Sequence, residues 1–401
     1  MAPAWPPAGS RLVTAAVVAT CADAFGPQLR AMILAGSLAR DEGSFQPTET
    51  GTILLGDAEF VLLFHDRIPL PAPARVTEVE SAVEARLLKE GLLAEIQLSP
   101  CHSQYLRSLE PHVLAYELRV TGRVVWGEAD VLSLVPPFSS EQIPLEDAWR
   151  LLNNRLVEQL EPLSTMEWPC AVPPPAVRYR TVKLYLDMGT SFLLFAGAYA
   201  PTYRDRARGL RRLAERGDPA VECPLLLAAF ASRVEACTRY KLEGAGGDDL
   251  GTWTSWAGAI DAAHVLWKWQ LARLTAAPEG MGDHGLRERW RRGQPAWARL
   301  RGWLHVLRNR GWHRSWREWP RWARLGFRAT PRLCVYDAGT ELLFALAARL
   351  GTGREPDIDC AALTRSLPVR FRDQEGAGTP WQEIAREVSC NYRDFLVGTR
   401  A

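Results

Sequence analysis

Gly36-Ser37-Leu38-Ala39-Arg40-Asp41-Glu42-Gly43-Ser44, followed by Gly56-Asp57-Ala58-Glu59-Phe60, is the stretch on which the reading turns. A Gly-Ser turn closes the apolar run 30–35. Two acids with one residue between them open the run 60–64. Gly36 lets backbone approach a ligand closely, and Ser37 offers a hydroxyl and an N–H. A helix starting here would aim free N–H groups and its dipole at phosphate oxygens. Arg40 adds a charged donor. In a strand, residues two apart share a face, so Asp57 and Glu59 project together while Ala58 and Phe60 turn to the core. Hard oxygen ligands on one face suit Mg²⁺, which takes its remaining ligands from water and substrate phosphates. Glu95 is a lone acid in the apolar strand 92–98. An acid there needs a partner, a cation or solvent, which makes it the candidate third ligand.

Outward from the motif, 12–29 and 76–90 carry helical apolar spacing, and 92–98 reads as a strand. The segment 46–55 reads as an inserted loop or a hairpin arm. Residues 116–125, with Thr121-Gly122 between two apolar arms, suggest a hairpin. The first third is therefore α/β in pattern. Pro136-Pro137 and Pro144 mark a boundary, and helical spacing dominates beyond it: 145–160, 177–199, 210–215, 224–242, 253–275, 338–350 and 381–397. Prolines in 166–175 predict a loop. The expected architecture is α+β: an N-terminal sheet domain over 1–135 and a helical domain over 145–401, with a sub-boundary near the Gly-rich 245–251.

The order G-S-x-x-R-x-E-G-S, then D-x-E at a strand, then a lone acid on a later strand, resembles the DNA polymerase beta-like nucleotidyltransferases, including the kanamycin and minimal nucleotidyltransferases. The resemblance covers about 30–98. It implies transfer of a nucleoside monophosphate from an NTP, with ATP the expected one, to a hydroxyl, with Mg²⁺. It places Gly36 and Ser37 on the phosphates, and Asp57, Glu59 and Glu95 on metal, with Glu95 also activating the hydroxyl. It further implies a basic residue from a later helix; Lys183 is the candidate. Its neighbour Asp187, four residues on, offers an i,i+4 ion pair instead. The chain departs from the family at Asp41, where Gly is usual, and at Gly56-Asp57-Ala58-Glu59, where Ser-Asp-x-Asp is usual. The spacing from Ser37 to Asp57 is also long.

The 401 residues suffice for two or three domains. With 47% hydrophobic and 23% charged residues, the expectation is a globular, soluble chain. No apolar stretch approaches the ~20 residues of a bilayer span, and residues 11–25 read as a helix rather than a signal peptide; the expected compartment is the cytoplasm. The eight cysteines form no C-x-x-C pair, so neither a zinc site nor a disulfide framework is indicated. Arg150, Asn153, Asn154 and Arg155 cluster on one helical turn, as a solvated face or a substrate contact. Tyr199, Tyr203, Arg204 and Arg206 read as a helix-end region or a nucleobase platform.

The segment 285–332 holds 14 arginines against Glu288 and Glu318 alone, interleaved with seven tryptophans. Four readings fit: a Trp core covered by Arg stems, an anionic or sugar acceptor, a nucleic acid, or a membrane interface. The functional expectations are accordingly a Mg²⁺-dependent nucleotidyltransferase acting on an acceptor held between sheet and helices, an inactive binding module of the same fold, or a nucleic-acid-directed transferase.

Overall fold

The structure, a computed structural model, describes residues 7–168, 170–217, 222–244, 250–310, 316–350, 358–371 and 379–398. The sheet layer contains α1 (Pro7–Phe25), β1 (Leu29–Leu34), α2 (Gly36–Ala39), β2 (Phe45–Thr48), β3 (Gly51–Phe64), α3 (Pro73–Lys89), β4 (Leu92–His102), α4 (Ser103–Arg107), α5 (Val113–Thr121) and β5 (Arg123–Gly127). Helices follow: α6 (Leu145–Glu158), α7 (Leu160–Thr165), α8 (Pro175–Phe195), α9 (Tyr203–Arg216), α10 (Leu227–Glu243) and α11 (Trp253–Thr275). Then come α12 (Asp283–Gly293), α13 (Ala296–Arg310), α14 (Trp319–Gly326), α15 (Pro331–Leu350), α16 (Cys360–Ser366) and α17 (Pro380–Gly398). The chain is thus a mixed α+β fold with a large helical part.

β3 organises the sheet. One of its edges runs parallel to β4 along most of its length. Its other edge is shared by two antiparallel strands, β2 over Gly51–Leu54 and β1 over Phe60–Phe64. β5 extends the sheet beyond β1. Between β2 and β1, the chain linking them closes on β3 by two backbone bonds, Ala35 N–H to Glu59 O (2.9 Å) and Leu55 N–H to Ser44 O (2.7 Å). The Gly-Ser turn is therefore held over the stretch that carries the acids. Residues 46–55 are the hairpin arm: Gln46 pairs with Ile53 and Thr48 with Gly51. The extra length between Ser37 and Asp57 leaves and returns along the same edge, so it does not separate turn from acids.

Both sheet faces are covered. Val13 and Val17 of α1 and Val76, Val79, Val83 and Leu87 of α3 pack with Met32, Phe60, Leu62 and Ile96 on one face. Leu106 of α4 and Leu118 of α5 pack with Ala31, Ile33 and Leu63 on the other. The α3 residues recur at three- and four-residue steps, as an amphipathic helix requires. The helical part has a core of its own, built from α6, α8, α11, α15 and α17 around Leu156, Phe192, Trp256, Trp267, Leu342 and Val388.

The hairpin expected at 116–125 is not formed. Residues 113–121 are helical, capped by the His112 ring, which accepts from Ala115 N–H at 3.1 Å. Thr121-Gly122 ends this helix and only Arg123 onward is strand. The apolar arm 116–120 is α5, which buries Ala115 and Leu118, three residues apart, on one helical face.

In the Arg/Trp segment, Trp303 and Trp322 are core residues, donating to Ala329 O and Pro368 O. Trp297 and Trp316 stand exposed. Trp312, His313 and Arg314 lie outside the described residues, as does most of the Gly-rich break at 245–249.

Candidate active site

The parallel register sets Asp57 of β3 directly beside Glu95 of β4, and Glu59 beside Gln97. Ala58 and Phe60 are buried and the two acids are turned the other way, the alternation that strand geometry imposes. The ladder slips between Ile53 and Asp57, with Gly56 at φ 115°. Four residues of β3 thereby span two of β4, and this bulge aims the acids into the cleft. Glu95 is exposed, flanked by buried Ala94 and Ile96.

Gly36 opens the one-turn helix α2 at φ 64°. Any side chain there would be strained, and a Cβ would collide with the Glu59 carboxylate. The Gly-Ser backbone and the second acid are thus in direct contact. Asp41 also adopts the left-handed region, at φ 56°. Asp tolerates it better than most residues, and Arg123 holds its carboxylate through both oxygens. Burial first, and the neighbouring Asp57 second, push the Glu59 carboxyl up to about 7. Two carboxylates sharing a low-dielectric face repel, and a cation between them reverses the effect.

Two adjoining clefts meet at these acids. A large one, about 1790 Å³, is lined by Asp57, Glu59, Glu95, Arg155, Tyr179 and Lys183. A smaller one, about 330 Å³, is lined by Gly36, Ser37, Arg40, Asp57, Glu59, Lys183 and Lys241. The structure therefore brings Gly36, Ser37, Asp57, Glu59 and Lys183 to one place, with Glu95 one strand over. Among the described residues, no three His, Cys, Asp or Glu side chains are grouped closely enough to hold a metal ion as they stand. The expected three-carboxylate cluster is thus not assembled. Glu59 is turned in against Gly36, while Glu95 stands out in solvent. The donor set that fits a hard cation is the pair Asp57 and Glu59, completed by water and phosphate oxygens.

Lys183 comes from α8. The i,i+4 pair with Asp187 does not form, because Asp187 accepts from Arg155 Nε at 2.5 Å. Lys183 instead sits 5.8 Å from the Tyr179 ring. Burial first and nearby Arg155 second lower its pKa. Arg40 is held between Glu42 (3.3 Å) and Glu117 (2.5 Å), so its guanidinium lines the cleft as part of a buried ion network. Arg206, Tyr199 and Arg40 all donate to Glu117. Tyr199 and Arg206, read as a helix-end region or a base platform, belong to this network. Asn153 and Arg155 are buried or nearly so: Asn153 accepts from Trp267 Nε1 at 3.1 Å, and Arg155 pairs with Asp187 and Glu158.

The sequence reading missed Glu42, Ser44 and Lys241. The Glu42 carboxylate accepts from Tyr203 N–H (3.0 Å) and Arg204 N–H (3.2 Å). It caps the start of α9 from another part of the chain, where the dipole favours an anion. Lys241 Nζ donates to Ser44 Oγ at 3.1 Å, and Ser44 Oγ donates to Lys241 O at 2.8 Å. Tyr179 OH donates to Leu55 O at 2.6 Å. Helices α8, α9 and α10 are thus fastened to the turn and to β3. Glu42 and Ser44 lie inside the opening motif, but no local pattern in the sequence points to partners 161 to 197 residues away.

Burial pushes the Lys241 ammonium down to about 8. The unfolded chain then binds more protons than the folded one between pH 8 and its unfolded pKa near ~10.4. Stability attributable to this group rises with pH across that window and is lowest below it. We expect Lys241→Met to gain about 3 kcal/mol relative to wild type at pH 7, less the lost hydrogen bond. That advantage should shrink toward pH 10. Urea unfolding at several pH values reads the difference; a constant difference rejects the account.

No family model matches the chain, and no curated protein matches it. Among solved structures, spectinomycin adenyltransferase AAD(9) from Enterococcus faecialis, crystallised with ATP and spectinomycin, aligns over 64% of this chain and 98% of its own. The TM-score is 0.36 and the identity 11%, a likeness too slight to argue from.

Proposed function

We propose that the chain is a nucleotidyltransferase that moves a nucleoside monophosphate from an NTP to a hydroxyl of an acceptor, using Mg²⁺. The observation that carries the reading is the convergence at one cleft wall. Asp57 and Glu59 share a face of β3, Gly36 backbone touches the Glu59 carboxylate, and Lys183 looks in from α8. Residues 1–135 are the proposed catalytic domain and 145–401 the helical one.

Asp57 and Glu59 would hold the metal, which supplies charge neutralisation at the triphosphate. The N–H groups of Gly36 and Ser37 donate to phosphate oxygens. Lys183 places an ammonium opposite the acids, where charge builds on the leaving pyrophosphate. The acceptor oxygen forms a bond to the α-phosphorus as the bond to the pyrophosphate oxygen breaks. Glu95, exposed beside Asp57, is placed to take the hydroxyl proton. The large cleft has room for NTP and acceptor together.

Incubation with α-labelled NTPs, Mg²⁺ and a panel of hydroxyl acceptors tests this. No transfer and no metal-dependent NTP binding would sink it. A second reading, a nucleotide-binding module without turnover, is favoured by the lack of a three-carboxylate group among the described residues. Metal-dependent NTP binding with no transfer to any acceptor selects it. On the first reading, Lys183→Met lowers kcat/KM for the NTP about 10- to 100-fold, the scale of one charged hydrogen bond. Lys183→Arg should restore part of it. An unchanged kcat/KM in the Met variant removes Lys183 from the phosphate site.

A further inference from the structure

α13 turns an unusual face to solvent. At 3.6 residues per turn, Trp297, Leu300, Arg301, Leu304 and Arg308 fall within about 100° of one another. Val306 lies on the opposite side and Trp303 on the flank toward it, and both are buried. The outward face is apolar: Trp297 is 65% exposed, Leu300 63% and Leu304 47%. Gly326 packs on the Trp303 ring, and the residue after it, Phe327, is 85% exposed. A solvent-facing helical surface is ordinarily polar, and clustered large apolar side chains on one mark a contact surface.

The charge around this face indicates what it meets. Arg301, Arg308, Arg324 and Arg328 are exposed, and among the described residues none has an acidic partner within 4.0 Å. The segment 285–332 as a whole holds 14 arginines and two glutamates. A second copy of this surface would be repelled, since like charges would meet at close range. A nucleic acid would answer the arginines and stack on Trp297, but its charged backbone leaves the aliphatic Leu300 and Leu304 in water. A bilayer with anionic lipid answers both. Its headgroup phosphates meet arginine, and its interface accepts tryptophan, leucine and phenylalanine a few ångströms deep.

We propose that the outward face of α13 is a peripheral docking surface for a membrane rich in anionic lipid. No helix among the described residues is long and apolar enough to cross a bilayer, so attachment is by a surface laid on the membrane.

The test is co-sedimentation of the full chain with phosphatidylcholine vesicles and with phosphatidylcholine/phosphatidylglycerol vesicles. Lipids brominated on the acyl chain report tryptophan depth. We expect binding to the anionic vesicles only, with bromine quenching. The variant R301Q/R308Q should lower partitioning about 25-fold, at about fivefold per basic residue. W297S/L304S should lower it at least about tenfold, from two lost apolar side chains. All four side chains face water, and circular dichroism checks that each variant folds. Absence of binding, equal binding to neutral vesicles, or insensitivity to both variants overturns the proposal. So does a single-stranded oligonucleotide that binds in place of vesicles with a steep salt dependence. A concentration-dependent dimer that W297S/L304S dissolves overturns it equally.

Discussion

Replacing Asp57 by Asn is expected, on the proposed function, to lower nucleotidyl transfer by about 10³-fold or more, since it would remove a charged ligand whose effect falls on the transition state. The same change should leave the fold intact and melt at or above the parent temperature. Asp57 and Glu59 repel each other across a partly buried face; burial first and this repulsion second hold the Glu59 carboxyl at about 7. Removing one charge relieves that repulsion, the usual trade at sites where function opposes stability. A transfer assay beside a thermal melt reads both halves. Activity within tenfold of wild type would reject Asp57 as a metal ligand; a large fall in melting temperature would mean the acid is structural.

Arg206→Ala is expected to be the most destabilising substitution away from the acids. Arg206 is buried and donates to Glu117, to Ala200 O at 2.7 Å and to Thr190 Oγ1 at 3.0 Å. Burial raises the Glu117 carboxyl, but Arg206 and Arg40 outweigh it and hold the group below the usual range. Taking away one cation leaves a buried anion short of compensation, at a cost of about 3–5 kcal/mol. The double variant Arg206→Met, Glu117→Leu should recover much of that loss, because no uncompensated charge stays behind. Urea unfolding of parent, single and double variants decides it. A single-variant loss under about 1 kcal/mol would show that water enters and solvates the network.

The acids were legible because strand periodicity is strict. Once 60–64 is read as a strand, Asp57 and Glu59 must share a face, and the burial of Ala58 and Phe60 follows. The α11 bounds coincide with the pattern at 253–275, where Thr252 caps the first turn through Ser255 N–H. Local signals misled at Thr121-Gly122, where a helix end and a hairpin turn share the same residues. They misled again at Lys183 and Asp187. Their spacing allows a pair worth a few tenths of a kcal/mol, and a buried arginine 32 residues earlier in the chain outcompetes it. Arg40 was read as a donor beside the turn, but its engagement by Glu117, 77 residues away, was beyond any local rule. Glu95 was legible as an exception in an apolar strand, and the register that sets it beside Asp57 was not. Parallel pairing is decided by the crossover helix α3, not by either strand.

The bond between Ser44 and Lys241 joins positions 197 residues apart. During synthesis at about 5–20 residues per second, roughly 10–40 s separate the two. For that interval the nascent chain carries its turn and both acids with one wall of the cleft still unmade. A ribosome-bound intermediate should therefore show the sheet's protection from proteolysis well before the cleft is closed.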